Sequence, residues 1–236
     1  MQQFSQIDNG LDMNASSEVR ALVRPLMLKV YNWMAIGLTL TAIVSMLVLQ
    51  DQEIYNFAAQ NMMILMIVEL GFVFGLSFGI NKISAMAAAA LFFVYSALNG
   101  LTMGVIVAAY TATSVATTFF ITAGMFGTMS LIGYVTKKDL TGMGHFMFMG
   151  LIGIIIASVV NIFVGSSALS WGISFIGVFI FLGLTAWDTQ KIKNMLFMSY
   201  GDSKSLMKIS AIGALMLYLD FINMFLMLLR FTGDRK

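Results

Sequence analysis

Between residues 83 and 136 the chain carries no Asp, Glu, Lys or Arg, a run of 54 residues. A water-soluble domain cannot supply that much uncharged chain in one piece, because its outer face must be wetted. A bilayer core about 30 Å thick is crossed by about 20 residues of helix, so the run is too long for one crossing and has to fold back. The polar cluster YTATS at 110–114 is the place for that turn. A second charge-free run, 140–187, divides in the same way at GSSALS, 165–170. Unbroken apolar runs of this length specify helices, since barrel strands alternate over about 10 residues.

Composition agrees. Hydrophobic residues make up 59% and charged residues 10% of 236 positions, against about 45–50% and about 25% in soluble domains. Mean hydropathy is +0.90. With no cysteine, disulfides, zinc thiolates, iron–sulfur clusters and thiol catalysis are all excluded. A net charge of +2 offers no basic stripe for nucleic acid.

The expected fold is an all-α polytopic membrane protein with seven transmembrane helices. Residues 1–24 are polar and read as a short, partly disordered cytoplasmic tail with no signal-peptide pattern. Residues 25–236 then form one transmembrane domain. Its first span is 30–50, its second 61–80 with Glu69 inside, and its last 209–229 with Asp220 inside. The two long runs supply the other four. Seven spans of about 20 residues use about 140 positions, which matches the apolar fraction. Gly71, Gly75 and Gly79 form a small-residue ridge suited to close helix packing. No repeat with paired broken helices suggests an inverted-repeat transporter.

Basic residues orient the chain. With the N-terminus inside, the cytoplasmic segments hold Arg20, Arg24, Lys29, Lys82, Lys137, Lys138, Lys191, Lys193, Lys204 and Lys208, 10 of the 13 bases. Arg230, Arg235 and Lys236 remain at the opposite end, and the first outside loop carries Asp51 and Glu53. The C-terminus is therefore expected outside.

A charge at membrane depth costs at least about 2.5–3.5 kcal/mol on insertion scales, so the acids within spans are the informative residues. Glu69, Asp188 and Asp220 qualify. Asn223 lies one turn from Asp220, and Arg230 falls on nearly the same side, giving the last span a polar stripe that should face the bundle interior. Asn99 and Asn161 read as interhelical hydrogen-bonders, and His145 as an ordinary interfacial histidine. Two carboxylates meeting in low dielectric cannot both ionise cheaply and tend to share a proton. Such a pair can bind a hard cation, sense pH or activate water.

The segment LYLDFINMFLMLLR at 217–230 closely resembles the last-helix signature of the transmembrane Bax inhibitor motif family, and AWDTQKI at 186–192 resembles its penultimate-helix aspartate segment. KKDL at 137–140, NIF at 161–163 and the Val68–Glu69 pair match in order. The resemblance implies a seven-helix bundle whose last helix is central and wrapped by the other six. It implies that Asp188 and Asp220 form a di-aspartyl pair that senses pH and gates a calcium leak, with residence in the bacterial cytoplasmic (inner) membrane. For some bacterial relatives it implies a link to a membrane-bound ATP-dependent protease. Two departures stand out. Ile80 occupies a position where some relatives carry an arginine that pairs with the aspartates, and the nearest base is Lys82, a point charge without the arginine fork. The connection between the aspartates also looks longer, with an amphipathic stretch at 194–200 that would lie on the inner surface.

The functional expectation is a pH-sensitive calcium (cation) leak channel. Asp188 and Asp220 would be its gate and its candidate calcium ligands, and Glu69, Asn223, Arg230 and Lys82 supporting polar residues. No cofactor is expected beyond calcium as the permeant ion; the bilayer is the expected partner, and nucleic acid is not. The alternative is a regulator or substrate-like modulator of a membrane-anchored ATP-dependent protease. An enzyme is not expected. An intramembrane aspartyl protease needs Gly-x-Gly-Asp at the second aspartate, where this chain has Leu217, Tyr218, Leu219 and Asp220. A retinal protein needs a Schiff-base lysine, which the seventh span lacks.

Overall fold

The computed structural model describes the backbone of residues 2–79, 83–199 and 201–236, and side chains from residue 23 onward except 76–79. Eight helices follow one another: α1 (Gln2–Gln50), α2 (Gln52–Gln60), α3 (Met62–Gly79), α4 (Ala85–Ala108), α5 (Ala112–Val135), α6 (Thr141–Val164), α7 (Ser167–Met198) and α8 (Ser203–Thr232). Short polar side chains start most of them. Asp51, Ser84, Thr111, Ser166 and Asp202 each accept a hydrogen bond from a backbone N–H in the following first turn, satisfying donors that a helix start leaves open. Gly165, at φ +65°, ends α6 in the left-handed conformation that a side chain would strain.

Among the described residues six helices are long and apolar enough to cross a membrane, and α2 with α3, bent by 72°, makes a seventh if the pair is one span. At about 1.5 Å per residue, the 18 residues of α3 reach about 27 Å, near the thickness of the hydrocarbon core. Both turns expected within the uncharged runs fall where the polar clusters stand. The apolar exterior is consistent with a lipid solvent: Ile162, Phe163 and Phe120 are 78%, 85% and 73% exposed.

α8 is the centre. It packs against α7, α1, α5 and α4, while α6 stands behind α7 and α3 behind α4. Leu217, Tyr218 and Met224 on α8 are fully buried. The chain beyond α8 returns to the α4–α5 turn. Thr111 N–H donates to the Asp234 carbonyl and Lys236 N–H to the Ala109 carbonyl, each at 3.0 Å. Ser114 Oγ donates to the Asp234 carboxylate and accepts from its backbone N–H.

Three expectations change. The N-terminal segment is helical from Gln2, continuous with the first span through Pro25, rather than a partly disordered tail. The 194–200 stretch is largely the last turns of α7 rather than a surface helix, and Leu196 there is fully buried. Because α7 runs to Met198 and α8 starts at Ser203, the link between them is a tight turn, with Gly201 at φ +96°. The glycine ridge is also unpacked at its described positions, since a Cβ on Gly71 or Gly75 would meet nothing within 4 Å.

Candidate functional site: two buried acid clusters on the central helix

Asp188 and Asp220 face each other across the α7–α8 hairpin. Small residues bring these helices together: a Cβ on Gly213 would press on Ile192, and one on Gly177 on Met227. Those contacts set an antiparallel register in which Asp188 stands level with the stretch around Leu217. Asp220 is then about one turn, or about 5 Å, further along. Both helices extend well past the aspartates toward their shared turn, α7 to Met198 and α8 from Ser203. Asp188 is 8% and Asp220 5% exposed. The charge of Asp188 acts on Asp220, and that of Lys191 on Asp188. Among the described residues, Asp188 Oδ1 and Asp220 Oδ2 are buried without a hydrogen-bond partner.

The surroundings of Asp188 are rigid. A Cβ on Gly133 of α5 would fall on the Ala186 carbonyl, and one on Gly144 of α6 on the Trp187 ring. Gln190, two residues beyond Asp188, accepts from Leu140 N–H and donates to the Lys138 carbonyl, both at 2.8 Å. It thereby staples the α5–α6 loop to α7. A hydroxyl chain runs from Tyr31 to Ser130 and on to Thr189 at 2.9 Å, joining α1, α5 and α7 beside the aspartate.

Glu69 belongs to a separate cluster on another side of α8. Thr102 Oγ1 donates to its Oε1 at 2.5 Å and Asn99 Nδ2 to its Oε2 at 3.3 Å. Asn99 Oδ1 accepts from the Tyr218 hydroxyl at 3.0 Å, which in turn meets Thr41 Oγ1 at 2.6 Å. Four helices, α1, α3, α4 and α8, are thus tied through one continuous polar chain.

The remaining candidates are dispersed. Asn223 donates to the Leu219 carbonyl of its own helix at 2.8 Å. Arg230 is exposed in the last turn of α8, and Lys82 lies outside the described residues. Asn161 donates to Ser170 and accepts from Ser166 N–H, tying the α6–α7 turn. His145 packs edge-on to Trp187 at 6.0 Å. Sequence reading missed Tyr218, Thr41, Thr102 and Gln190. Their signal was present: each is a hydrogen-bonding residue within or at the edge of an apolar stretch, and Tyr218 and Gln190 each stand two residues from an aspartate.

A family profile described as "Inhibitor of apoptosis-promoting Bax1" matches residues 23–236. The inner membrane protein YbhL of Escherichia coli K12 is 49% identical over 221 residues, covering 92% of this chain and 94% of the relative. An uncharacterized protein of Deinococcus radiodurans is 47% identical over 213 residues, covering 90% and 92%. RP147, an uncharacterized protein of Rickettsia prowazekii, is 46% identical over 216 residues, covering 91% of each.

Proposed function

This chain belongs to the Bax1-inhibitor family, and from that premise we propose that it is a multi-pass inner-membrane protein forming a pH-sensitive calcium leak, with Asp188 and Asp220 as its gate. The observation that carries the reading is the pair of orphaned buried oxygens, Asp188 Oδ1 and Asp220 Oδ2, on adjacent helices at the centre of the bundle. A buried acceptor without a partner is costly, and one proton held between the two carboxyls removes part of that cost and the mutual repulsion together. Loss of the proton restores the repulsion and drives α7 and α8 apart. The ionised oxygens then face a path on which a hard cation is stabilised. Two carboxylates supply four oxygens, fewer than the 6–8 ligands of a resident calcium site, so calcium is cargo that keeps much of its water.

In this reading Glu69 is a structural tie rather than a gate ligand, because both its oxygens are occupied. The N-terminus is cytoplasmic: Lys29, Lys137, Lys138, Lys191, Lys204 and Lys208 all fall at or near one end of the bundle, as the alternation of helices requires. No step of the reading calls for enzymatic chemistry.

The test is calcium flux into vesicles reconstituted with the protein, followed against pH. Asp220→Asn is expected to flatten the pH dependence, because an amide cannot release the shared proton. Wild-type and variant proteins with the same flux at every pH would refute the gate. The modulator reading has one observation in its favour, the helical part of α1 ahead of the apolar span at Val23–Gln50. That segment offers a handle to a membrane-bound ATP-dependent protease. Deleting residues 1–20 would abolish co-purification of such a protease while sparing flux if that reading holds.

A further inference from the structure

α1 and α5 both pack on α8, yet between them a seam is left open, bridged by the hydrogen bond of Tyr31 to Ser130. At the basic end it widens into a cavity of about 610 Å³ lined by Val23, Tyr134, Lys137, Lys138, Asn194 and Phe197. Tyr134 is shared with a second cavity of about 330 Å³ further into the membrane, whose walls include Arg24, Met27, Leu28, Phe126, Gly127 and Leu131. Polar at its mouth and apolar behind, the seam changes character along its length.

The charge at the mouth is one-sided. Lys137 and Lys138 line it and are exposed, Arg24 is exposed in the wall of the second cavity where Tyr134 joins the two, and Lys193 crosses to the Tyr134 carbonyl at 2.7 Å. One acid, Asp139, also lines this cavity; it accepts from both the backbone N–H and the hydroxyl of Thr141, which hold its carboxyl below the usual carboxylate value and so keep it charged. Among the described residues the lining sets three lysines, Lys137, Lys138 and Lys193, against this one acid, so the cavity suits an anion.

We propose that this seam binds one anionic phospholipid, its phosphate headgroup between Arg24 and the Lys137–Lys138 pair and one acyl chain between α1 and α5. The occupant follows from two features that a free anion does not use together. Basic side chains meet a phosphate at the depth where helices leave the bilayer. The apolar cavity behind them, which spans nine residues of α5 from Phe126 to Tyr134, runs about 12 Å along the axis and lies within one leaflet, whose hydrocarbon is about 15 Å deep. Gly127 keeps the apolar part open. A Cβ there meets no neighbour within 4 Å, so a larger side chain would occupy the seam without clashing with the bundle. This site does not depend on the aspartate pair or on the flux reading.

Native mass spectrometry of the full chain in detergent, titrated with phosphatidylglycerol or with phosphatidylcholine, tests it. Phosphatidylglycerol is expected to remain bound and phosphatidylcholine to dissociate. Replacing both lysines (K137Q with K138Q) should weaken phosphatidylglycerol on the order of 30-fold, from the usual gain per surface base, whereas K137R with K138R should retain it. Gly127→Leu should weaken retention with every base in place. Equal retention of the two lipids would overturn the proposal, as would displacement of phosphatidylglycerol by inorganic phosphate at matched concentration. An unchanged affinity in Gly127→Leu would likewise overturn it. Unshifted thermal midpoints for the variants establish that each result reports binding and not folding.

Discussion

Two buried acid clusters border the same helix and are built on opposite terms. Around Glu69 both carboxylate oxygens are occupied, and the chain of partners continues through Asn99 and Tyr218 to Thr41. Around Asp188 and Asp220 the helices fit closely, yet one oxygen on each residue has no partner among the described residues. A satisfied network in low dielectric is rigid, because each member loses its bond if any one moves. An incomplete one has a second arrangement within reach. The contrast separates a fastening from a device that can change state, although both are acids at membrane depth.

Substitutions sharpen this contrast. The largest effect is expected from Gly133→Val, which would drive a side chain into the Ala186 backbone beside Asp188. Overpacking typically costs about 1–3 kcal/mol, and more where backbone must shift, so loss of folded protein in detergent gel filtration is the expected result. Next comes Asn99→Leu, which strips partners from Glu69 and Tyr218 in one change. Stranding buried polar groups costs about 1–3 kcal/mol each, and a clear drop in thermal midpoint should follow. Asp220→Asn should act in the other direction, raising the midpoint modestly, because it removes a like charge from a site already short of partners. If both Asn99→Leu and Asp220→Asn lower the midpoint equally, the two clusters do not differ in kind.

The smallest effect concerns Asp202, which caps α8 at the membrane surface. Hydrogen bonds from Ser205, and then from Lys204 N–H, hold its carboxyl below the ordinary value of 3.8. Its folded value is depressed, so its contribution is present above the unfolded value and is lost as pH falls through the folded one. Asp202→Asn should therefore abolish a slight midpoint decrease that the wild-type protein shows below about pH 4. A wild-type midpoint with no such decrease would show that the cap contributes nothing measurable.

Much of this could be read from the chain because a membrane imposes few alternatives. The charge-free runs had to break somewhere, and YTATS and GSSALS were the only polar clusters long enough to make the turns. Asp188 and Asp220 stood out for the same reason, as costly exceptions in apolar helices. The packing partners were less legible. Whether Glu69 turned toward the aspartates or toward α4 depended on how α3 is rotated against α4, which no local signal specifies. The glycine ridge has the spacing of a packing motif, yet at its described positions, Gly71 and Gly75, a Cβ would meet nothing within 4 Å, because α3 docks through the side that carries Glu69. The end of α7 was misplaced because a polar stretch, read with hydropathy alone, resembles a surface segment even where Ile192 and Leu196 bury one face of it.

α8 is the innermost helix and follows the seven others in the chain. The four helices that pack on it precede it and, until it is in place, hold an unfilled face in the bilayer: α4 with Asn99 lacking Tyr218, and α7 with Asp188 lacking its counterpart. Close-fitting helices in lipid associate through packing and hydrogen bonds rather than through expulsion of water, so this waiting state is an open arc rather than a collapsed bundle. Insertion of α8 fills that face, and the Asp234 contacts at the α4–α5 turn latch it. A chain without that helix leaves an arc with its polar groups turned to an empty centre.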